Sequence, residues 1–163
     1  MKELFSVTLL MILFTINLVP FFIVFHYIFP DRMARTQANA SAMPGRAFWI
    51  GMINFLFGLA LVLVLFFLSD KTEGLLKAIL TFPAVCIVLI FGIVLSFGLG
   101  SMAGLLGEQL VPQHNAWQRT VWGTLLLGCG SSVPLVGWFL LLPYVAWVGM
   151  GAFIIGLFQK TAL

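Results

Sequence analysis

Two apolar segments, Ala47–Leu68 (AFWIGMINFLFGLALVLVLFFL) and Ala78–Leu99 (AILTFPAVCIVLIFGIVLSFGL), decide the fold class of this chain. Each segment has 22 residues and no charged side chain. About 20 apolar residues are enough for a helix to cross the hydrocarbon core of a bilayer. The short polar connection Asp70-Lys71-Thr72-Glu73 lies between the two segments. The sequence therefore predicts a pair of membrane-spanning helices joined by a tight turn.

Two further apolar stretches, Leu4–Phe29 and Val121–Phe158, flank this pair. The second is too long for one helix across a bilayer, and its small-residue run Gly128–Pro134 predicts a turn within it. We predict an all-α, polytopic membrane protein that forms a single transmembrane domain over residues 1–163. Five helices are expected, or four if the last pair forms a re-entrant hairpin, at about residues 4–29, 47–69, 74–104, 117–131 and 135–159.

The composition agrees with a membrane protein. Hydrophobic residues make up 62% of the 163 residues and charged residues only 8%, against about 45–50% and 25% in soluble domains. The small net charge of +3 is not concentrated in a basic cluster, so we predict no nucleic-acid partner. Cys86 and Cys129 both lie in apolar segments, which indicates buried thiols rather than a disulfide framework.

Basic residues in the loops predict the orientation, because cytoplasmic loops carry an excess of Lys and Arg. The segment from Pro30 to Arg46 is expected to be the longest polar loop. With five helices, one side would carry Arg32, Arg35, Arg46, Arg119 and Lys160, and the other Lys2, Lys71 and Lys77. We predict a multi-pass protein of the inner (plasma) membrane with the N-terminus outside and the C-terminus in the cytoplasm. The first apolar run is too long for a signal sequence, and we expect an uncleaved anchor.

Small residues recur every four positions along two predicted helices, and such rows let helix backbones approach closely in a membrane. One row lies on the third helix and the other on the fourth, so the two helices are expected to pack on each other. A partner subunit is the alternative occupant of these grooves. The predicted packing residues are Gly92, Ser96, Gly100, Gly104, Thr120, Thr124, Gly128 and Ser132.

His26 is the only histidine on a predicted helix, and it lies one turn before Pro30. A neutral imidazole is a common ligand of haem or chlorophyll-type metals, which makes His26 a possible cofactor ligand. The second interpretation places its ring in the lipid headgroup layer among aromatic residues. We predict no resident cofactor and no metal site, and we expect bound lipid.

The predicted spans contain no acidic residue, whereas proton-coupled carriers and pumps normally keep an ionisable group at mid-membrane depth. Paired carboxylates and a nucleophile beside a base are also missing from the sequence pattern. The sequence favours a non-catalytic accessory or scaffold subunit of a larger bacterial membrane assembly, with other membrane proteins and lipid as partners. The alternatives are a pigment- or haem-binding subunit that uses His26 and an oligomeric channel or transporter for a neutral or lipid-like solute, lined by Asn54, Thr124, Ser131 and Ser132.

Three short motifs carry a resemblance: Pro44-Gly45-Arg46, Pro134-Leu-Val-Gly137-Trp138 and Gly149-Met-Gly151-Ala152-Phe153. Together with the hydrophobic hairpins they resemble a small polytopic membrane domain of unknown function from bacteria and archaea, which in some members follows a bactofilin-like, polymer-forming region. The resemblance covers about Pro30 to Phe158. It implies a bacterial origin and a scaffold-like role. This chain differs by having an extra first helix and no polymer-forming part.

Overall fold

The computed structural model describes residues 2–131 and 136–159, and this part of the chain is entirely helical. The predicted all-α class is thereby confirmed. The elements are α1 (Lys2–Ile28), α2 (Pro30–Ala42), α3 (Pro44–Asp70), α4 (Gly74–Leu110), α5 (Ala116–Ser131) and a π-helical turn (Gly137–Leu141) that continues into α6 (Leu142–Phe158). The described residues do not include the predicted packing residue Ser132, the remainder of the predicted turn before α6, or Lys160.

Three described helices are long and apolar enough to cross a membrane: Pro44–Asp70, Gly74–Leu110 and Phe139–Phe158. These helices indicate a membrane location. The predicted count of five spans is not confirmed. Within α1, the apolar helix Ile16–Ile28 is shorter than these three helices. At about 1.5 Å per residue, the 37 residues of α4 extend about 55 Å, well beyond the hydrocarbon thickness of a bilayer.

The prediction of a long polar loop from Pro30 to Arg46 is wrong, because this segment folds into α2 and the start of α3. Pro30 and Pro44 each occupy the beginning of a helix, where proline is tolerated because the first turn needs no amide donor. Met33 and Ala40 face inward at helical spacing. Helix α4, the third of the predicted helices, also ends later than expected, at Leu110 instead of residue 104.

Glycines bring α3 and α6 into direct backbone contact. A methyl group added at Gly51 would overlap the carbonyl oxygen of Trp147, and one added at Gly151 would overlap that of Ala47. The two helices therefore cross where Ala47 and Gly51 of α3 meet Gly151 and Trp147 of α6. In each helix the two residues are four positions apart, the spacing at which small residues permit close helix crossings in membranes.

The contacts of α4 are built in the same way. Gly107 meets the carbonyl of Arg119 on α5, and Gly123 of α5 meets the carbonyl of Ala103. On another face of α4, Gly98 lies directly against Gly149 of α6. Helix α4 is thus held between α5 and α6 by contacts that leave no room for a side chain.

The far part of α3 and α4, residues 55–93, forms an antiparallel hairpin that we call the hairpin arm. Its only buried residues are the small ones Gly58, Ser69 and Ala84. Phe91 covers Gly58, and the hydroxyls of Ser69 and Thr81 lie 2.6 Å apart. Large apolar side chains cover the remaining surface of the arm and are exposed, among them Phe57, Leu63, Phe67, Leu75, Phe82, Leu89, Ile90 and Ile93.

The remaining described helices form what we call the helical bundle: α2, α5, α6, the second half of α1 and the ends of α3 and α4 opposite the tip of the arm. Its core includes Met102, Ala103, Val148 and Ala152, all buried. A second cluster contains Phe97 and Phe153, whose rings stack with their centroids 4.9 Å apart. The structure therefore has two parts, a packed bundle and an apolar arm.

Candidate functional site

Several polar side chains inside the bundle lie on α2 or beside it. This helix lies against α4 and α6 and places Met33, Thr36, Asn39 and Ala40 in buried positions. Gly100 of α4 lies beside Met33. A side chain at Gly100 would push against Met33, so the glycine sets how closely α2 approaches α4.

His26 and Gln37 form the centre of this polar cluster. The His26 Nε2 atom lies 3.0 Å from the Gln37 Nε2 atom, and the His26 Nδ1 atom lies 3.1 Å from the Phe22 carbonyl oxygen. An amide nitrogen can only donate, so Gln37 donates to Nε2 and Nδ1–H donates to the carbonyl. This arrangement selects the neutral Nδ1–H tautomer of His26. Gly104 makes room for both side chains, because a methyl group there would overlap them.

The other buried polar groups of the cluster also have partners. The Ser101 hydroxyl lies 3.0 Å from the Met33 sulfur, and the Thr36 hydroxyl donates to the Arg32 carbonyl at 2.8 Å. The Asn39 side chain donates to the Ala152 carbonyl of α6 at 3.4 Å. Among the described residues, no buried side-chain nitrogen or oxygen lacks a hydrogen-bond partner. Satisfied polar groups of this kind fix the position of α2, since each would cost free energy if it were left unpaired in the interior.

The geometry around His26 bears on the predicted cofactor site. Both ring nitrogens are within hydrogen-bonding distance of protein groups, so coordination of a metal by Nε2 would require Gln37 to move. Within residues 2–131 and 136–159, no group of three or more His, Cys, Asp or Glu side chains is arranged to hold a metal ion.

The residues of the two predicted small-residue rows meet different neighbours. On α4, Gly100 faces Phe22 and Met33, and Gly104 faces His26 and Gln37, so this part of the row lies against α1 and α2. Ser96 donates to the Gly92 carbonyl of its own helix at 2.8 Å, and Gly92 is exposed on the hairpin arm. The α5 row contributes Thr120, Thr124 and Gly128, which are buried.

The closest contacts between α4 and α5 involve other residues, namely Ala103, Gly107, Arg119 and Gly123. The sequence contains a signal for them, because Ala103-x-x-x-Gly107 and Ala47-x-x-x-Gly51 have the spacing of small residues at helix crossings. Sequence reasoning missed both pairs.

The predicted channel-lining residues are dispersed. Thr124 is buried on α5, and its hydroxyl donates to the Thr120 carbonyl. Ser131 donates to the Gly128 carbonyl of its own helix. Asn54 is exposed on α3 and donates to the Ile50 carbonyl at 2.8 Å. These described hydroxyls and amides satisfy local backbone carbonyls.

The net charge differs between the two ends of the hairpin formed by α3 and α4. At the tip of the arm, the charges of Lys71 and Lys77 balance those of Asp70 and Glu73. The opposite end carries an excess of positive charge, with the four arginines Arg32, Arg35, Arg46 and Arg119 against the two carboxylates Asp31 and Glu108. Of the four, Arg119 forms an ion pair with Glu108 at 3.4 Å and also donates to the His114 carbonyl.

Comparisons with protein-family models, with curated proteins and with solved structures give no match to this chain.

Proposed function

We propose that this protein is a non-catalytic accessory or scaffold subunit of a larger membrane assembly. In this proposal the helical bundle is the stable body of the subunit, and the hairpin arm packs against a transmembrane helix of a partner. The observation that carries the proposal is the surface of the arm. Its buried residues are three small ones, while most of its large apolar side chains are exposed.

The arm has a surface on which another helix can pack. Lipid tails are as apolar as leucine, so association of helices in a membrane depends on close packing and not on hydrophobic burial. Gly92 is exposed on α4, and a methyl group built there would meet no atom of this chain. Val88 and Leu89, one turn before Gly92 on the same helix face, are exposed too. A partner helix can therefore approach the α4 backbone more closely at Gly92 than at the large side chains around it.

The interior of the bundle supports a structural role. His26, Gln37, Ser101 and Asn39 are used for contacts between helices, and the acidic residues of the described elements lie near helix ends, outside the apolar spans. The proposal thus assigns the polar cluster to holding α2 in place.

We further propose that the end with excess arginine faces the cytoplasm. Four arginines lie there against two carboxylates, while the tip of the arm is balanced. This distribution is the one that the positive-inside rule associates with the cytoplasmic side. A plasma-membrane location, an N-terminus outside and a C-terminus in the cytoplasm, together with the bacterial origin implied by the resemblance, belong to the same proposal.

The experiment that tests the scaffold function is photo-crosslinking in the native membrane. A photoreactive phenylalanine analogue is placed at Val88 or Leu89, which lie beside Gly92 on the same helix face, and at Leu63 on α3. We expect a protein adduct of one defined mass from the positions beside Gly92. Crosslinks to lipid alone from every position on the arm would contradict the proposal.

A pair of variants separates loss of the partner from loss of the fold. Gly92→Phe fills the open space on α4 and should release the subunit from the high-mass complex in mild detergent. Ile79→Phe exchanges one large exposed side chain of the arm for another and should leave the complex intact. If Gly92→Phe stays in the complex to the same extent as the unaltered chain, the partner does not bind at Gly92.

A further inference from the structure

A cavity of about 470 Å³ lies where the end of α1 and the first turns of α2 meet the end of α6. Its polar lining includes Arg32, Arg35, Asp31 and Gln159. We propose that this cavity binds the phosphate headgroup of an anionic phospholipid. The proposal is independent of the scaffold function, because it concerns the opposite end of the molecule from the arm.

The charge of the lining suits a phosphate. Two arginines outnumber the one carboxylate, Asp31, so the cavity keeps a net positive charge with the acid included. Arg32 and Arg35 are three positions apart on α2, which places them on neighbouring parts of the same helix surface. A guanidinium presents a planar fork of donors that matches phosphate oxygens in a bidentate manner. Basic pockets between helices at the cytoplasmic side of membrane proteins have the properties needed to bind anionic lipid headgroups.

The surroundings of the cavity suit a lipid better than a free anion. Ile28 and Leu157 line the same cavity, and both are more than half exposed, at 57% and 51%. Tyr27 and Phe158 next to them are also exposed. A headgroup held by the arginines would therefore continue directly into acyl chains that lie along the ends of α1 and α6.

Native mass spectrometry of the full chain tests this proposal. The protein is released from a nonionic detergent after equilibration with equal amounts of phosphatidylglycerol and phosphatidylcholine that carry the same acyl chains. We expect the unaltered chain to retain phosphatidylglycerol in preference. The double variant Arg32→Gln and Arg35→Gln should reduce this preference on the order of tenfold, since each basic residue near a membrane surface adds several-fold to the binding of anionic lipid.

A matched pair of substitutions controls for the loss of two charges. Lys71→Gln and Lys77→Gln remove the same charge at the tip of the arm and should leave the lipid preference unchanged. Arg32→Lys with Arg35→Lys keeps the charge without the planar fork and should retain a reduced preference. Should the arginine-to-glutamine variant fail to fold, the arginine-to-lysine variant still tests the cavity, because an unreduced preference in that variant would mean that overall charge attracts the lipid.

Three results would overturn the assignment. The first is equal binding of the two lipids by the unaltered chain. The second is an equal loss of preference in the two glutamine double variants, which would mean that overall charge attracts the lipid. The third is complete displacement of phosphatidylglycerol by millimolar inorganic phosphate, which would mean that the cavity recognises a free anion without using the apolar surface beside it.

Discussion

The helical bundle and the hairpin arm are built from similar residues but are stabilised in different ways. In the bundle, glycines at Gly51, Gly98 and Gly107 allow backbone to touch backbone, and buried polar groups cross-link the helices. In the arm, the buried positions are limited to Gly58, Ser69 and Ala84, and large side chains point outward.

The difference follows from the solvent. In lipid, an exposed leucine costs nothing, so the arm needs no apolar core of its own. Close packing still stabilises the fold, because the atoms of a neighbouring helix make more dispersion contacts than disordered lipid acyl chains do. Stability is therefore expected to be concentrated where backbones meet, and the arm is expected to contribute little.

The strongest test of this comparison is a pair of glycine substitutions. Gly51→Leu would force a side chain into the carbonyl of Trp147 and the backbone of Gly151, and both obstacles are main chain that cannot rotate away. We expect a loss of more than about 3 kcal/mol in the free energy of unfolding. Unfolding by titration with sodium dodecyl sulfate in mixed micelles measures this value.

The control is Gly92→Leu on the arm, where a methyl group would meet no atom of the chain. This substitution should change stability by less than about 0.5 kcal/mol, as surface substitutions usually do. Equal effects at the two glycines would show that helix propensity, and not the crossing of α3 and α6, determines the cost.

Long apolar runs in the sequence were sufficient to predict the apolar helices, because a membrane span needs such a run whichever helix it packs against. Helix α2 was missed for a physical reason. Arg32, Arg35 and Gln37 make the segment polar enough to suggest a loop, and its inward face includes Thr36 and Asn39, which do not form an apolar stripe. Pro30 marks a helix start as well as a break, and that second meaning was overlooked.

The neighbours of each helix are harder to predict than its existence. The predicted row through Gly100 and Gly104 does lie at a close approach, but its neighbours are Met33 and Gln37 of the missed helix. The regular four-residue spacing identifies a face of α4, whereas the partner of that face depends on the positions of all the other helices. A local pattern in a single sequence does not contain the positions of the other helices.

A second prediction compares two phenylalanines. Phe153 is 9% exposed and stacks on Phe97, whereas Phe57 on the arm is 69% exposed. Replacement of a buried phenylalanine by alanine costs about 3–5 kcal/mol in soluble proteins, and we expect about 2 kcal/mol for Phe153→Ala because the unfolded chain also stays in an apolar solvent. Phe57→Ala should have little effect in the same titration. A comparable loss at Phe57 would mean that the arm packs against something that stabilises it.

The smallest expected effect concerns a polar contact between the two helices of the arm. The Ser69 hydroxyl is buried and lies 2.6 Å from the hydroxyl of Thr81, which itself donates to the Lys77 carbonyl. The Ser69 hydroxyl also lies 3.5 Å from the Lys77 carbonyl oxygen, so Ser69→Ala removes the polar contacts of this side chain with α4. Hydrogen bonds between membrane helices average about 0.6 kcal/mol and reach about 1.7, so we expect a loss of about 1 kcal/mol. Hydrogen exchange of the amides on either side of the tip measures the local effect. Faster exchange confined to residues near the tip would show that the arm opens independently of the bundle. Faster exchange throughout the bundle would show that the two parts unfold together, so that the distinction between them is one of shape and not of stability.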